Sequence, residues 1–252
     1  MEKIRLKELL EEFKNGNKDC EQIADELKKL HVGDYGIAKY DHQRPLRNGF
    51  SEVIFCEGKR EDHLLKILFH LNEEKKNVFG TRADNAIMQK ISDQFPNADC
   101  DKLSRTFTII NKPIDLIDKK VSVLCAGTAD ISVAEEACRT LRYFGIEASR
   151  HYDVGVAGLH RLIGVIPEIE NADCILVVAG MEGALPSVVG GLVAAPIIAI
   201  PTSVGYGASF DGISALLGML NSCSEGISVV NIDSGFGGAC AAVRIIKNTR
   251  GC

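Results

Sequence analysis

Residues 121–154 read VSVLCAGTADISVAEEACRTLRYFGIEASRHYDV, and this stretch decides the fold. Val121–Gly127 is an apolar run of strand length that ends on glycine. Val133–Phe144 carries apolar residues at helical spacing, and Gly145 stops it. Ala148–Val154 is a second strand. The same alternation continues along the chain. A helix around His160–Ile169 follows that second strand. Strand Ile175–Gly180 precedes helix Ala184–Val193, Pro196–Pro201 precedes Gly212–Leu220, and Ile227–Asp233 precedes Ala239–Lys247. Apolar strands alternating with helices predict an α/β fold with a doubly wound parallel sheet.

Ligands of such sheets bind at the carboxyl ends of the strands. Each predicted end carries glycine or a polar group. They are Gly127-Thr128 with Asp130, Asp153-Val154-Gly155, Gly180-Met181-Glu182-Gly183, Thr202-Ser203 and Asp233-Ser234-Gly235. Glycine there lets backbone N–H groups approach a ligand. The loops Cys125–Asp130 and Asp233–Gly238 read equally well as phosphate cradles at helix N-termini or as plain capped turns. Neither matches a Walker loop or a dinucleotide fingerprint.

Outward from the sheet, the composition changes. Residues 1–118 hold 20 Lys/Arg, 22 Asp/Glu and 6 Gly; residues 119–252 hold 9, 12 and 18. This predicts a smaller amino-terminal α/β domain over 1–115 and a sheet domain over 116–252, joined near Asn111–Lys120. The first domain opens with two helices. The first carries Ile4, Leu6, Leu9, Leu10 and Phe13 and ends at Gly16; Asp19 caps the second. A loop over Val32–Ser51 follows, then strand Val53–Cys56, helix Glu61–Glu74, a short strand at Val78, helix Asn85–Gln94 and strand Phe107–Ile110. Helices such as Ala184–Val193 have almost no polar face, so the sheet domain is expected to be the core of a homo-oligomer.

A net charge of -5 gives no reason to expect nucleic-acid or membrane binding. The charged start MEKIRLKELLEEF is not a secretory signal, and the apolar run Gly183–Ser209 is broken by Pro186, Pro196 and Pro201. Nine cysteines without a C-x-x-C pair fit a reducing cytoplasm. The histidines lack metal-ligand spacing, so zinc is not indicated, and no Gly-x-Ser-x-Gly elbow is present.

Three further candidates stand out. Glu182 lies in the most apolar stretch of the chain, where a carboxylate needs a partner or a shifted pKa; a first-turn helix carboxylate is the bland alternative. Cys223, in Asn221-Ser-Cys-Ser-Glu-Gly226, is either a nucleophilic thiolate or an ordinary loop cysteine. Arg44 and Arg47, in Asp41-His-Gln-Arg-Pro-Leu-Arg47, suit a phosphate or carboxylate, or a solvated loop.

Cys125–Asp130, Val177-Val-Ala-Gly-Met-Glu-Gly-Ala-Leu-Pro186 and Pro196–Pro201 resemble the aminoimidazole ribonucleotide carboxylase and mutase superfamily. The Ala-His-Arg hallmark of that superfamily is replaced here by Asp153-Val-Gly-Val-Ala-Gly-Leu-His-Arg161, which argues against the purine reaction. With Asp41–Gly49, Pro201–Gly207, Leu220–Cys223 and Val230–Gly237 added, the whole chain is similar to the pyridinium-3,5-biscarboxylic acid mononucleotide synthases of nickel-pincer cofactor assembly. Ala129, Ser132, Gln43, Ser51 and Ser234 depart from that pattern, chiefly around the phosphate contacts.

That resemblance implies carboxylation of nicotinic acid adenine dinucleotide at ring carbon 5, with CO2 or bicarbonate as co-substrate, and phosphoanhydride hydrolysis releasing AMP. It implies Cys223 as nucleophile, with Glu182 and Asp153 orienting the ring or moving the proton. Substrate contacts then fall to Gly127, Thr128, Asp130, Gly180, Gly183, Ser203, Asp233 and Gly235, and to Arg44 and Arg47. It implies no tightly bound cofactor, leaves open a magnesium ion for hydrolysis, and implies an octamer. The competing readings are a purine-pathway carboxylase or mutase and a non-catalytic dinucleotide-binding module.

Overall fold

The computed structural model describes residues 2–28, 32–34, 36, 39–41, 44–45 and 49–248. Two helices open the chain, α1 (Glu2–Lys14) and α2 (Cys20–Lys28). Asp19 and Gln22 cap α2 reciprocally: Asp19 Oδ1 accepts from Gln22 N at 2.8 Å, and Gln22 Oε1 accepts from Asp19 N at 3.1 Å. The segment read as a loop contains an antiparallel ribbon of β1 (Val32–Asp34) and β2 (Lys39–Asp41).

The rest of the first domain is a mixed sheet built from β3 (Ile54–Phe55), β4 (Val78–Thr81), β5 (Ala98–Asp101) and β6 (Thr106–Ile109), in the order β3-β4-β6-β5. Helices α3 (Glu61–Glu73) and α4 (Asn85–Gln94) bury Leu64, Ile67, Leu68 and Leu71, and Ile87, Met88 and Ile91, against Val78, Phe107 and Ile109. Strand β5 was not expected. Its sequence Ala-Asp-Cys-Asp alternates only small apolar residues with aspartates of low strand propensity; pairing with β6 makes it a strand and sets Ala98 and Cys100 against the core.

The second sheet is entirely parallel. It contains β7 (Val121–Cys125), β8 (Ala148–His151), β9 (Cys174–Ala179), β10 (Ile197–Pro201) and β11 (Ile227–Val229), in the order β11-β10-β9-β7-β8. Strand order reverses between β7 and β9, which marks the switch-point crevice of a doubly wound sheet. Side chains alternate between two cores. Val121, Val123, Cys125, Leu176, Val178, Ile198 and Ile200 meet α5 (Ile131–Tyr143) and α9 (Gly235–Asn248). Leu124, Ile175, Val177, Ile197 and Ala199 meet α6 (Leu159–Ile169), α7 (Leu185–Gly190) and α8 (Ile213–Leu220).

Two element bounds differ from the expectation in ways that matter for the site. Helix α9 starts at Gly235, so the glycine run 235–238 is helical rather than a loop. A Cβ at Gly235 would lie 2.3 Å from the Val133 carbonyl oxygen, and one at Gly238 would lie 2.4 Å from Ile200, so the glycines permit close helix packing. Helix α7 ends at Gly190 rather than Val193.

The two sheets are joined by a connection pinned to the second domain. Ile117 N donates to Gly145 O at 2.7 Å, and Asp173 accepts from Lys119 and from Lys120 N. The first domain docks on the α5–α9 face. Phe79 from β4 packs on Tyr143, Phe50 packs on Phe144, and both phenylalanines belong to the core of the sheet domain. Arg139 donates to Thr106 Oγ1 at 2.7 Å and to Asp99, and Tyr143 donates to Asn77 O at 2.9 Å. The α6–α8 face stays open. On it Ile163, Phe210, Leu217 and Leu220 are 58, 71, 53 and 60 % exposed. Among the described residues no helix is long and apolar enough to cross a membrane.

Candidate active site

At the switch point, one carboxylate ties three strand ends together. Asp130 Oδ1 accepts from Thr202 Oγ1 at 2.6 Å, and Oδ2 accepts from Gly127 N at 2.9 Å; Gly180 N–H also supports the charge. Asp130 is buried, and desolvation raises its pKa despite these donors. Its oxygens are occupied by the protein, so its evident work is to align the loops after β7, β9 and β10. Thr128 is exposed beside it, with the amide of Gly127 already engaged.

The turns leaving β8 to β11 share an unusual backbone. Asp153, Met181, Phe210, Asp211 and Asp233 all have positive φ, between 45° and 57°. The turn after β9 is held by Met181 N donating to Val204 O at 2.8 Å. A Cβ on Gly180 would meet that carbonyl oxygen at 2.3 Å, and one on Gly183 (φ 65°) would meet Ala215 O at 2.6 Å. Only glycine fits both places. Asp233 Oδ1 accepts from Ser203 N at 2.8 Å, which couples the ends of β10 and β11. Asp153 forms an ion pair with Arg161 at the start of α6.

Several sequence candidates take up positions their context did not suggest. Glu182 is exposed: its apolar neighbours Leu185, Pro186 and Val189 turn into the core while residue 182 sits outside the turn. Its carbonyl packs against α8, where a Cβ on Gly218 would lie 2.4 Å away. Cys223 follows the end of that same helix, in the turn entering β11. The flanking serines hold this turn to α7: Ser187 Oγ donates to Ser222 Oγ, and Ser224 Oγ donates to Ser187 O, both at 2.7 Å. Cys223 therefore lies at the amino-terminal side of β11, whereas Asp153, Ser203 and Asp233 lie at carboxyl ends. Among the described residues no hydrogen bond or ion pair joins Cys223 to Glu182 or Asp153.

Burial divides the thiols. Desolvation pushes Cys56 and Cys174 up to about 12, and Cys125, Cys138 and Cys240 to about 11. These stay protonated at neutral pH. Cys223 and Cys20 are the exposed cysteines among the described residues, and Cys20 starts α2, in the other domain.

The Asp233–Gly238 segment is not an open phosphate cradle. Phe236 N donates to Glu136 Oε2 and Gly237 N donates to Ser234 Oγ, each at 3.2 Å, so side chains of the protein already cap α9. Glu136 was not anticipated. It is buried, accepts from Thr81 Oγ1, and lies 3.7 Å from Arg82 Nε. Arg82 in turn donates to Asp233 O. A glutamate on the buried face of the Val133–Phe144 helical pattern was the available signal. Arg44 lies close enough to Cys240 of α9 to favour its thiolate electrostatically. Arg47 lies outside the described residues. Among those residues no group of three or more His, Cys, Asp or Glu could hold a metal ion.

Comparison with known proteins agrees with this two-part plan. Residues 32–112 match the LarB/PurE-like N-terminal domain. Residues 120–250 match AIR carboxylase. A curated protein of Methanocaldococcus jannaschii, described as uncharacterized, is 41 % identical over 253 residues, which is 96 % of this chain and 97 % of that one. Among solved structures, crystal structures of a Treponema denticola PurE2 variant and of Treponema denticola PurE are 26 % and 25 % identical. Each covers 51 % of this chain and 80 % of its own, with a TM-score of 0.44. With both halves matched in order and a relative aligned along nearly its whole length, the chain belongs to the LarB family of carboxylase-type enzymes within the AIR carboxylase superfamily.

Proposed function

We propose that this chain carboxylates the pyridinium ring of nicotinic acid adenine dinucleotide at carbon 5 and hydrolyses the phosphoanhydride, giving pyridinium-3,5-biscarboxylate mononucleotide and AMP. The observation that carries the reading is Cys223, an exposed thiol where the other described sheet-domain thiols are buried or half-buried and held protonated by desolvation. It closes the helix that also packs on Glu182.

The chemistry needs such a thiol. A pyridinium carbon is electron-poor and cannot attack CO2. Because Cys223 precedes β11 while the ring lies at the carboxyl ends of the strands, the thiolate comes from a second copy of the chain, and its addition to the ring gives a dihydropyridine enamine whose carbon 5 is nucleophilic. Carbon 5 bonds to CO2, a base takes the proton at that carbon, and the C–S electron pair leaves with sulfur as aromaticity returns. No net oxidation occurs. Glu182 is exposed and free of an ion pair among the described residues, which suits it to take the proton. Asp153, already paired with Arg161, suits an orienting role. Hydrolysis consumes water at the phosphoanhydride, and a magnesium ion is a candidate aid to that step. No tightly bound cofactor enters the scheme.

A homo-oligomer belongs to the same proposal. The open α6–α8 face carries the exposed apolar residues, and Cys223 and Glu182 both border α8. A second copy seated there would exclude water from the thiol. The octamer is the assembly proposed, in the cytoplasm.

Purified protein is incubated with nicotinic acid adenine dinucleotide and 13C-bicarbonate, and the products are read by mass spectrometry. Expected is stoichiometric AMP and a mononucleotide heavier by one labelled carboxyl. Consumption of aminoimidazole ribonucleotide with the dinucleotide untouched would sink the proposal in favour of the purine reaction.

A further inference from the structure

Two cavities meet at one pair of arginines. The larger, about 310 Å³, lies in the first domain. Cys56, Leu64 and Ile87 contribute apolar lining, and Glu57, Lys59, Glu61 and Asp84 polar lining. The smaller, about 210 Å³, opens over the strand ends of the parallel sheet beside Ala129, Ser132, Ser203 and Asp233. Arg82 and Arg105 line both. The cavities are therefore two ends of one cleft that runs from the switch point into the first domain.

The arginines are held in place by the backbone. Arg82 leaves β4 and Arg105 sits in the β5–β6 turn, with φ of 58° and 56°. Ala83 N donates to Arg105 O at 2.9 Å, while Arg105 Nε and Nη2 reach Ala83 O and Arg82 O at 3.3 Å. Left-handed residues other than glycine persist where the surroundings enforce them, commonly at ligand clamps. Arg82 is anchored by Glu136 and Asp233 O. Arg105 and Lys59 have no carboxylate partner among the described residues. Of the three acids that line the cavity, Glu61 pairs with Lys90 and Asp84 accepts from Ile87 N to cap α4, which leaves Glu57. The junction thus presents guanidinium and ammonium donors with spare capacity, next to an apolar-floored cavity at the small end of ligand-site volumes.

We propose that Arg105 and Lys59, with Arg82 between the cavities, bind the diphosphate and adenylate half of a dinucleotide, whose pyridinium half lies over the strand ends. This rests on the dinucleotide reading above and adds a subsite in the first domain. The diphosphate bridges the arginines, and the adenine enters the cavity floored by Leu64 and Ile87. Glu57 is positioned as an acceptor for ribose hydroxyls or the adenine amino group. Arg44 is then not required for the phosphates.

The test uses the full chain and calorimetry with three probes: nicotinic acid mononucleotide, nicotinic acid adenine dinucleotide and AMP. Wild type is expected to bind the dinucleotide at least about tenfold more tightly than the mononucleotide, the worth of one charge-assisted contact or more. Arg105→Gln and Lys59→Gln should each remove most of that surplus and weaken AMP in parallel. Mononucleotide affinity should stay within about twofold, because Arg82 takes the phosphate that the mononucleotide keeps while Arg105 and Lys59 take the adenylate-side phosphate that it lacks. Lys59 is exposed, so its variant keeps the test valid if Arg105→Gln melts early by circular dichroism. Equal wild-type affinity for dinucleotide and mononucleotide would overturn the subsite while leaving the carboxylation reading intact. So would variants that lose both ligands in proportion. A wild type that binds neither pyridine nucleotide would remove both.

Discussion

At the scale of single residues, solvent contact is what distinguishes Cys223. Cys223→Ser preserves shape and replaces a good nucleophile by an alcohol of far higher pKa. Carboxylation is expected to be lost, by at least about 10³-fold, while dinucleotide binding and the melting temperature stay near wild type. Near-wild-type turnover by the serine variant would refute the covalent mechanism. Asp130 makes a different prediction. Burial raises its pKa above the ordinary carboxylate value. A carboxyl so raised contributes stability below its unfolded pKa and loses it as pH rises through the folded one. Asp130→Asn removes that loss, so the melting temperature of the variant relative to wild type should shift in its favour between pH 3.5 and 7. A constant difference across that range would contradict it. Neither property was legible in the sequence. Asp130 and Cys223 could be picked out by type and context, but exposure and desolvation depend on what the rest of the chain lays over them. Glu182 shows the converse: apolar neighbours suggested a buried carboxylate, and a turn placed it outside.

At the scale of elements, the parallel sheet was legible because its three central strands, β7, β9 and β10, are buried on both faces and read as apolar runs. Strand β5, four residues long with two aspartates and paired on one side, carried no such signal. The start of α9 was hidden because glycine normally argues against a helix, and the reason for glycine there is contact with Val133 and Ile200, distant in sequence. The turn after β9 is sensitive for the same reason. Gly183→Ala combines a positive φ with a Cβ 2.6 Å from Ala215 O, whereas Gly16→Ala has a similar φ and nothing within 4 Å. Gly16→Ala should cost about 1 kcal/mol, and Gly183→Ala about 2 kcal/mol or more because strain and overpacking add. Urea melts of the two variants check the order, and equal losses would mean that the turn relaxes freely.

At the scale of the whole molecule, the faces of the sheet have different fates. One is covered by the first domain through Phe50, Phe79 and the bonds of Arg139 and Glu136. The other exposes Leu159, Ile163, Leu217 and Leu220, an apolar patch of the kind that marks an interface. Composition alone suggested burial of the sheet domain by copies of itself, but part of that burial is supplied within the chain. Residues 120–252 alone would expose the Tyr143–Phe144 surface, so assembly is best read on the full chain. Leu217→Asp combined with Ile163→Asp should convert the proposed oligomer to monomer in light scattering at micromolar concentration, with the proposed carboxylation lost. An unchanged particle mass would assign the interface elsewhere.

The left-handed residues at the ends of β8 to β11 carry a further consequence, for how this fold responds to selection for heat resistance. Each of Asp153, Met181 and Asp233 holds a conformation that costs roughly 1 kcal/mol outside glycine. Replacement by glycine relieves that cost and frees the unfolded chain, so the net change in melting temperature is small or favourable. The price is a looser rim around the switch point. Met181→Gly, which removes no side-chain hydrogen bond, should therefore survive a thermal screen and fail a turnover screen, leaving this position as a place where durability and catalysis draw the sequence in opposite directions.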